Sequence, residues 1–180
     1  MFGRQQGRWN LRRIFGFSLL AVLCAVAWGA RAQQAKFDPV QCEMRTAQEC
    51  NDLMGALNVP AEQRQQVLLA RATAMLQKHD LEGSIAEYRE MTVIDPRSLM
   101  AYSTLGFLES IGEKWAAAVP DLERAVEIAP DQGRLRAMLA VALAKNGDCT
   151  GAATALSAAR KSPDASTIGS AEQAVGAACP

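Results

Sequence analysis

Residues 99–132 read LMAYSTLGFLESIGEKWAAAVPDLERAVEIAPDQ, and this stretch decides the fold. Leu105-Gly106 sits inside one apolar helical pattern, and Gly112-Glu113 breaks it. A second helical pattern runs from Trp115 to Ile128, with Ala118, Leu122 and Ala125 at helical spacing. Pro130-Asp131 stops it. These 34 residues predict a helix–turn–helix hairpin.

The pattern returns when the window moves by its own length. Upstream, residues 65–98 place Leu68, Ala72, Met75, Ser84, Tyr88, Met91 and Pro96 at corresponding positions. Downstream, residues 133–164 place Leu139, Ala140, Leu143, Ala152, Leu156 and Ala159 there. The stops Asp95-Pro96, Ala129-Pro130 and Ser162-Pro163 recur after 34 and then 33 residues. Three matches in one register point to a repeat protein. Small residues at Gly106, Ala118, Ala140 and Ala152 let paired helices approach closely, and Tyr88, Leu122 and Leu156 fill the space between successive hairpins. Pro120 is the awkward residue: inside a helix it costs roughly 3 kcal/mol, so it calls for a late helix start or a kink.

Tyr102, Leu105, Gly106, Ala118, Leu122, Ala125 and Pro130 follow an aromatic-x-x-Leu-Gly, Ala-x-x-x-bulky, Pro pattern. In this the chain resembles the tetratricopeptide repeat family. It departs at Glu109, where the family prefers Tyr, and at Pro120. The resemblance implies an all-α fold: a right-handed α-solenoid of three helix hairpins, 65–98, 99–132 and 133–164. A short helix within an N-terminal segment, 33–64, precedes them, and a capping helix within 165–180 follows. One hairpin cannot cover both its faces, so neighbours or caps are required on each side.

The family lines its concave face with the first helix of each repeat. Carried over, the candidates are Leu69, Thr73 and Leu76, with Gln66 and Gln77, from the first repeat. The second gives Met100, Ser103, Phe107 and Ile111, with Ser110, and the third gives Arg134, Val141 and Lys145, with Ala137 and Ala144. Members that grip a terminal carboxylate use Lys and Asn at several of these places. Leu69 and Thr73 stand at two of them, which argues against that mode. What remains is an apolar stripe with a basic end at Arg134 and Lys145, suited to an amphipathic helix or an apolar peptide with an acidic end. The alternatives are that the N-terminal segment covers the stripe or that a homodimer buries it.

Residues 1–32 read as an address and not as fold. Arg4, Arg8, Arg12 and Arg13 precede an apolar run from Ile14 to Ala27, and Ala30-Arg31-Ala32 forms an Ala-x-Ala cleavage site. The expectation is an export signal cleaved after Ala32. The alternative is an uncleaved anchor, which the run is barely long enough to be. Arg12-Arg13-Ile14-Phe15 resembles a twin-arginine signal core, so export by the general or the twin-arginine route stays open. Cleavage would leave 148 residues, one domain, with 14 basic and 19 acidic side chains. A net charge near −5 without a basic patch gives nucleic-acid binding no support.

Cys42, Cys50, Cys149 and Cys179 would remain, an even number that reads as disulfides in an exported chain. Asp148 is a helix N-cap candidate, so Cys149 begins the second helix of the third repeat. A final antiparallel helix from about Ser166 to Ala178 brings Cys179 back beside it. Eight residues along one helix would hold Cys42 and Cys50 about 12 Å apart. Thr46-Ala47-Gln48-Glu49 matches a capping box, so a helix starting there leaves Cys42 in a loop able to reach Cys50.

Little in the sequence promises catalysis. His79, the only histidine, falls in a hairpin turn, where a polar turn residue is the plain explanation. No Cys/His cluster has zinc spacing, and no phosphate loop, Gly-x-Ser-x-Gly elbow or Cys-x-x-Cys pair is present. Glu87/Glu90 and Glu123/Glu127 read as solvated helix faces with Arg89 and Arg124 nearby. No catalytic residue, metal or cofactor is expected. The reading is a non-enzymatic adaptor or scaffold for a protein partner in the bacterial periplasm. The alternatives are a small thiol–disulfide or other periplasmic enzyme, and an inner-membrane-anchored subunit touching the membrane only through an uncleaved signal.

Overall fold

The computed structural model describes residues 37–162 and 168–180, and among these eight α-helices follow one another. The export signal expected over 1–32 and the Ser166 start of the last helix lie outside the described residues. A 3-10 helix, Pro39–Cys42, leads into α1 (Ala47–Ala56), α2 (Ala61–Gln77) and α3 (Leu81–Ile94). Then come α4 (Leu99–Ile111), α5 (Trp115–Ile128), α6 (Gly133–Lys145), α7 (Cys149–Arg160) and α8 (Gly169–Ala178). All fall in one unit, Asp38–Pro180. The tightest pairs are α2–α3, α4–α5 and α6–α7, and α3–α4 and α5–α6 join them in order. At the ends, α1 packs on α2 and α3, and α8 packs on α6 and α7. Val59-Pro60 leads into the first helix of the first repeat, which begins at Ala61 with Pro60 at its N-cap position. α5 spans the whole Trp115–Ile128 pattern and carries Pro120 within it, so it does not start late. Pro120 is exposed and removes only the bond its N–H would have made to the Ala116 carbonyl.

The 34-residue period is written into the backbone. His79, Glu113 and Gly147 hold the hairpin turns with φ of 61°, 56° and 91°. The following N–H closes each turn on the carbonyl five residues back: Asp80 to Met75 at 2.9 Å, Lys114 to Glu109 at 2.8 Å and Asp148 to Leu143 at 2.9 Å. This is the usual way a helix end satisfies its last carbonyls before the chain reverses. Two turns then share a cap. Asp80 Oδ1 accepts from the Gly83 N–H at 2.9 Å, and Asp148 Oδ1 from the Gly151 N–H at 2.8 Å. A Cβ at Gly83 or Gly151 would fall 2.4 or 2.3 Å from the capping carboxylate, so the cap and the glycine come together. The middle hairpin has Lys114 and Ala117 there and no side-chain cap; Lys114 pairs with Glu82 of α3 instead.

Packing repeats on the same period. Ala72, Gly106 and Ala140 form a buried small row on the first helices, and Ser84, Ala118 and Ala152 form one on the second. Tyr88, Leu122 and Leu156 form the bulky row between them. A Cβ on Gly106 would lie 2.4 Å from Leu122 Cγ, so α4 and α5 meet only because Gly106 has none.

Charge is buried where the sequence read a solvated face. Glu87 is 0% exposed, which corrects that expectation; Glu123 and Glu127 are exposed and fit it. Arg71 reaches from α2 to Glu87 Oε1 with Nε at 2.8 Å and Nη2 at 2.7 Å. The same guanidinium donates to the Arg45 carbonyl at 2.7 Å and to the Cys42 carbonyl, tying the disulfide loop to the first hairpin. Glu109, at the family's Tyr position, is also 0% exposed and takes Arg89 Nη2 on Oε1 at 2.6 Å. Asp121 faces it from α5. Burial first, and then the neighbouring Glu109, push the Asp121 carboxyl up to about 7. Protonated, Asp121 donates to Glu109, whose Oε2 has no other hydrogen-bond partner.

Two predictions follow from this packing. Gly106→Ala should lower stability by about 1–3 kcal/mol through forced displacement of Leu122. In urea unfolding, the Gly106→Ala/Leu122→Ala pair should lose less than the sum of the two single losses. Folded Asp121 keeps its proton to a higher pH than the unfolded chain, whose ordinary value is 3.8. Its contribution is therefore complete below about pH 4 and lost as pH rises through about 7. Stability should fall by about 1–2 kcal/mol between pH 5 and 8, allowing for solvent screening of a half-buried group. Asp121→Asn should flatten that slope.

Candidate protein-binding groove

The first helices α2, α4 and α6 present the residues expected to line a groove, and their exposure divides those residues. Leu76, Met100, Phe107 and Ile111 are exposed, with Phe107 at 49% and Ile111 at 57%. Thr73, Arg134 and Lys145 are exposed as well, whereas Leu69, Ser103 and Val141 are half-buried. Phe107 is held this way by its own helix: Leu105 and Leu108 turn into the core on the opposite side.

Two adjoining cavities gather part of this set. One, of about 330 Å³, is lined by Phe107, Ser110, Arg134, Ala137, Met138, Val141 and three residues of α8, Ser170, Ala171 and Ala174. The other, of about 270 Å³, is lined by Ser103, Thr104, Phe107, Gln132, Arg134, Leu135 and Met138. Phe107, Arg134 and Met138 are common to both, so they form the ridge between two depressions. The structure thus brings together Ser103, Phe107, Ser110, Arg134, Ala137 and Val141 from the expected set. Gln66, Leu69, Thr73, Leu76, Gln77, Met100, Ile111, Ala144 and Lys145 line neither cavity.

Met138 and the α8 residues were missed by the sequence reading. The signal for α8 was available in the spacing, although its packing differs from that of a repeat's first helix: α8 lies mainly on α6, whereas α6 lies mainly on α5. Ala171 and Val175 repeat the i, i+4 spacing of Ala137 and Val141. Met138 carries no such signal, because a methionine between two core residues reads as core.

The chemistry available here is that of recognition. Apolar walls with hydroxyls at Ser103, Thr104, Ser110 and Ser170 suit an apolar side chain with a polar neighbour. Among the described residues no group of acidic, histidine or cysteine side chains could hold a metal ion. No described helix is long and apolar enough to cross a membrane. A separate, shallow depression of about 700 Å³ is lined by charged and hydroxyl side chains together with Ala153 and Ala158.

Cys42 stands bonded to Cys50 with Cα atoms 5.1 Å apart, and Cys149 to Cys179 with Cα atoms 5.6 Å apart. The first bridge lies under the N-terminal elements with both cysteines 0% exposed. The second lies at the surface, with Cys149 exposed and Cys179 half-buried.

No family model matches the chain, and no curated protein does. A solved structure named "MamA RS-1 ArsTM double mutant" is similar to it, with a TM-score of 0.53 and 16% sequence identity. The likeness covers 78% of this chain and 89% of that one. At that identity it speaks to fold alone. The all-helical structure and this neighbour are compatible with a tetratricopeptide-like fold.

Proposed function

We propose that this chain is a non-enzymatic protein-binding scaffold of the bacterial cell envelope. Its three hairpins form a right-handed superhelical row, and its groove takes a partner peptide or helix. The observation that carries this is the pair of adjoining cavities sharing Phe107, Arg134 and Met138. An apolar side chain of the partner fills the Phe107–Val141 depression. Exposed Leu76, Met100 and Ile111 extend the contact as an apolar rim. Two disulfides fit an oxidising compartment, in line with an exported chain cleaved after Ala32.

Immobilised wild type should capture a partner from envelope extracts, and Phe107→Ala should weaken that capture at least tenfold. Met100→Ala with Leu76→Ala should weaken it less, because those side chains lie outside the cavities. Tenfold corresponds to about 1.4 kcal/mol, modest for a buried aromatic anchor. Thermal melts check that the variants stay folded, which half-exposed positions permit. Equal yields from wild type and Phe107→Ala would remove the groove from the function.

A further inference from the structure

The two disulfides differ in what surrounds them. Cys42 and Cys50 are sealed, and Arg71 bonds the carbonyl of Cys42 as well as Glu87. Reducing that bridge requires the N-terminal elements to open first. Cys149 instead sits at the exposed start of α7 and Cys179 at the half-buried end of α8. A dithiol can approach it in the folded protein.

What that exposed bridge holds is a weak element. α8 has 10 residues, includes Gly169 and Gly176, and has no side-chain cap at its start. A helix this short does not persist in water alone. Apart from the disulfide it is held by Ile168, Ala171 and Val175 in the core formed with α6 and α7, and by Glu172 Oε1, which accepts from Arg160 Nε at 2.6 Å. The same helix supplies Ser170, Ala171 and Ala174 to the cavity beside Phe107.

We propose that the Cys149–Cys179 bridge is an accessible redox latch: closed, it fixes α8 as one wall of the Phe107 cavity; opened, it releases α8 and dismantles that wall. A thiolate of a dithiol reductant attacks one of the two sulfurs and breaks the Cys149–Cys179 bond. The reductant's second thiolate then displaces the first cysteine and closes the reductant's own disulfide. Two electrons pass from the reductant to the protein, and the two cysteine thiolates take up two protons at neutral pH. Control of partner binding rests on the groove reading; the selective latch itself does not.

The test uses the oxidised protein and graded dithiothreitol, followed by alkylation, peptide mapping and amide hydrogen exchange. Cys149 and Cys179 should be alkylated at concentrations at least tenfold below those needed for Cys42 and Cys50. In the doubly alkylated protein, exchange over 169–178 should quicken at least tenfold, while α2–α5 change less than twofold. Cys149→Ser/Cys179→Ser should give the same exchange pattern without reductant. Reduction of both bridges together, unchanged protection of α8, or loss of protection in all helices at once would overturn the latch. None of these readouts uses a groove ligand. A failed Phe107→Ala experiment therefore leaves the latch standing, and an unmoved α8 leaves the groove standing.

Discussion

A helical hairpin has two broad faces and can cover only one of them by itself. Every larger feature of this molecule answers that constraint. The middle hairpin, α4–α5, has a neighbour on each side through α3 and α6. The outer hairpins do not, and each end is closed by something other than another repeat. At the N-terminal end α1 and the Cys42–Cys50 loop are pinned down by the Arg71 guanidinium. At the C-terminal end α8 lies over α6 and α7, stitched through Cys179 to the start of α7. Closing a loop of this kind contributes roughly 2–4 kcal/mol, comparable with what burial of Ile168 and Val175 provides at about 1.5–3 kcal/mol each.

The polar interior gives the hairpins an order as well as a fit. Glu87 and Asp121 occupy the same place in successive repeats, and Ala155 occupies it in the third. The first is matched by Arg71, and the second shares its environment with Glu109 and Arg89. Arg89 of α3 reaching Glu109 of α4 ties the first hairpin to the second. Replacing such pairs by apolar residues is often neutral or stabilising, so their clearest effect is to penalise wrong neighbours. A hairpin stacked out of sequence would leave a buried carboxylate without its cation.

The helical pairs could be read from the sequence because their signals are local and periodic: apolar spacing, turn residues and terminal prolines at one repeat length. The cysteine pairs were readable from local signals too: antiparallel helices of similar length bring Cys179 to Cys149, and the Thr46–Glu49 capping box leaves Cys42 in a loop beside Cys50. The buried acids were not. Glu87 and Glu90 three residues apart look like any solvated helix face, and Arg71, which makes burial of Glu87 tolerable, stands on a different helix. Glu109 was visible as a departure from the family pattern, but its partners Arg89 and Asp121 are joined to it only in three dimensions. Pro120 stands on the exposed side of α5, opposite buried Ala118 and Leu122, and the helix runs through it. Of the two cavities' lining, the expected residues on α4 and α6 came with the period, whereas Ser170, Ala171 and Ala174 come from a capping helix outside the three repeats.

The backward-twisted residues at His79, Glu113 and Gly147 carry a last implication. Because each hairpin tip is the same length and closes through the same backbone bond, no tip has slack into which a single residue could be added without misaligning both helices. Change in length at these places is quantised: the natural increment is one whole hairpin, 34 residues at a time. The outer two are committed by their end closures, so duplication or loss would fall on the middle one. Such an event would leave both end closures, the Cys42–Cys50 loop and the Cys179 tie to α7, in place.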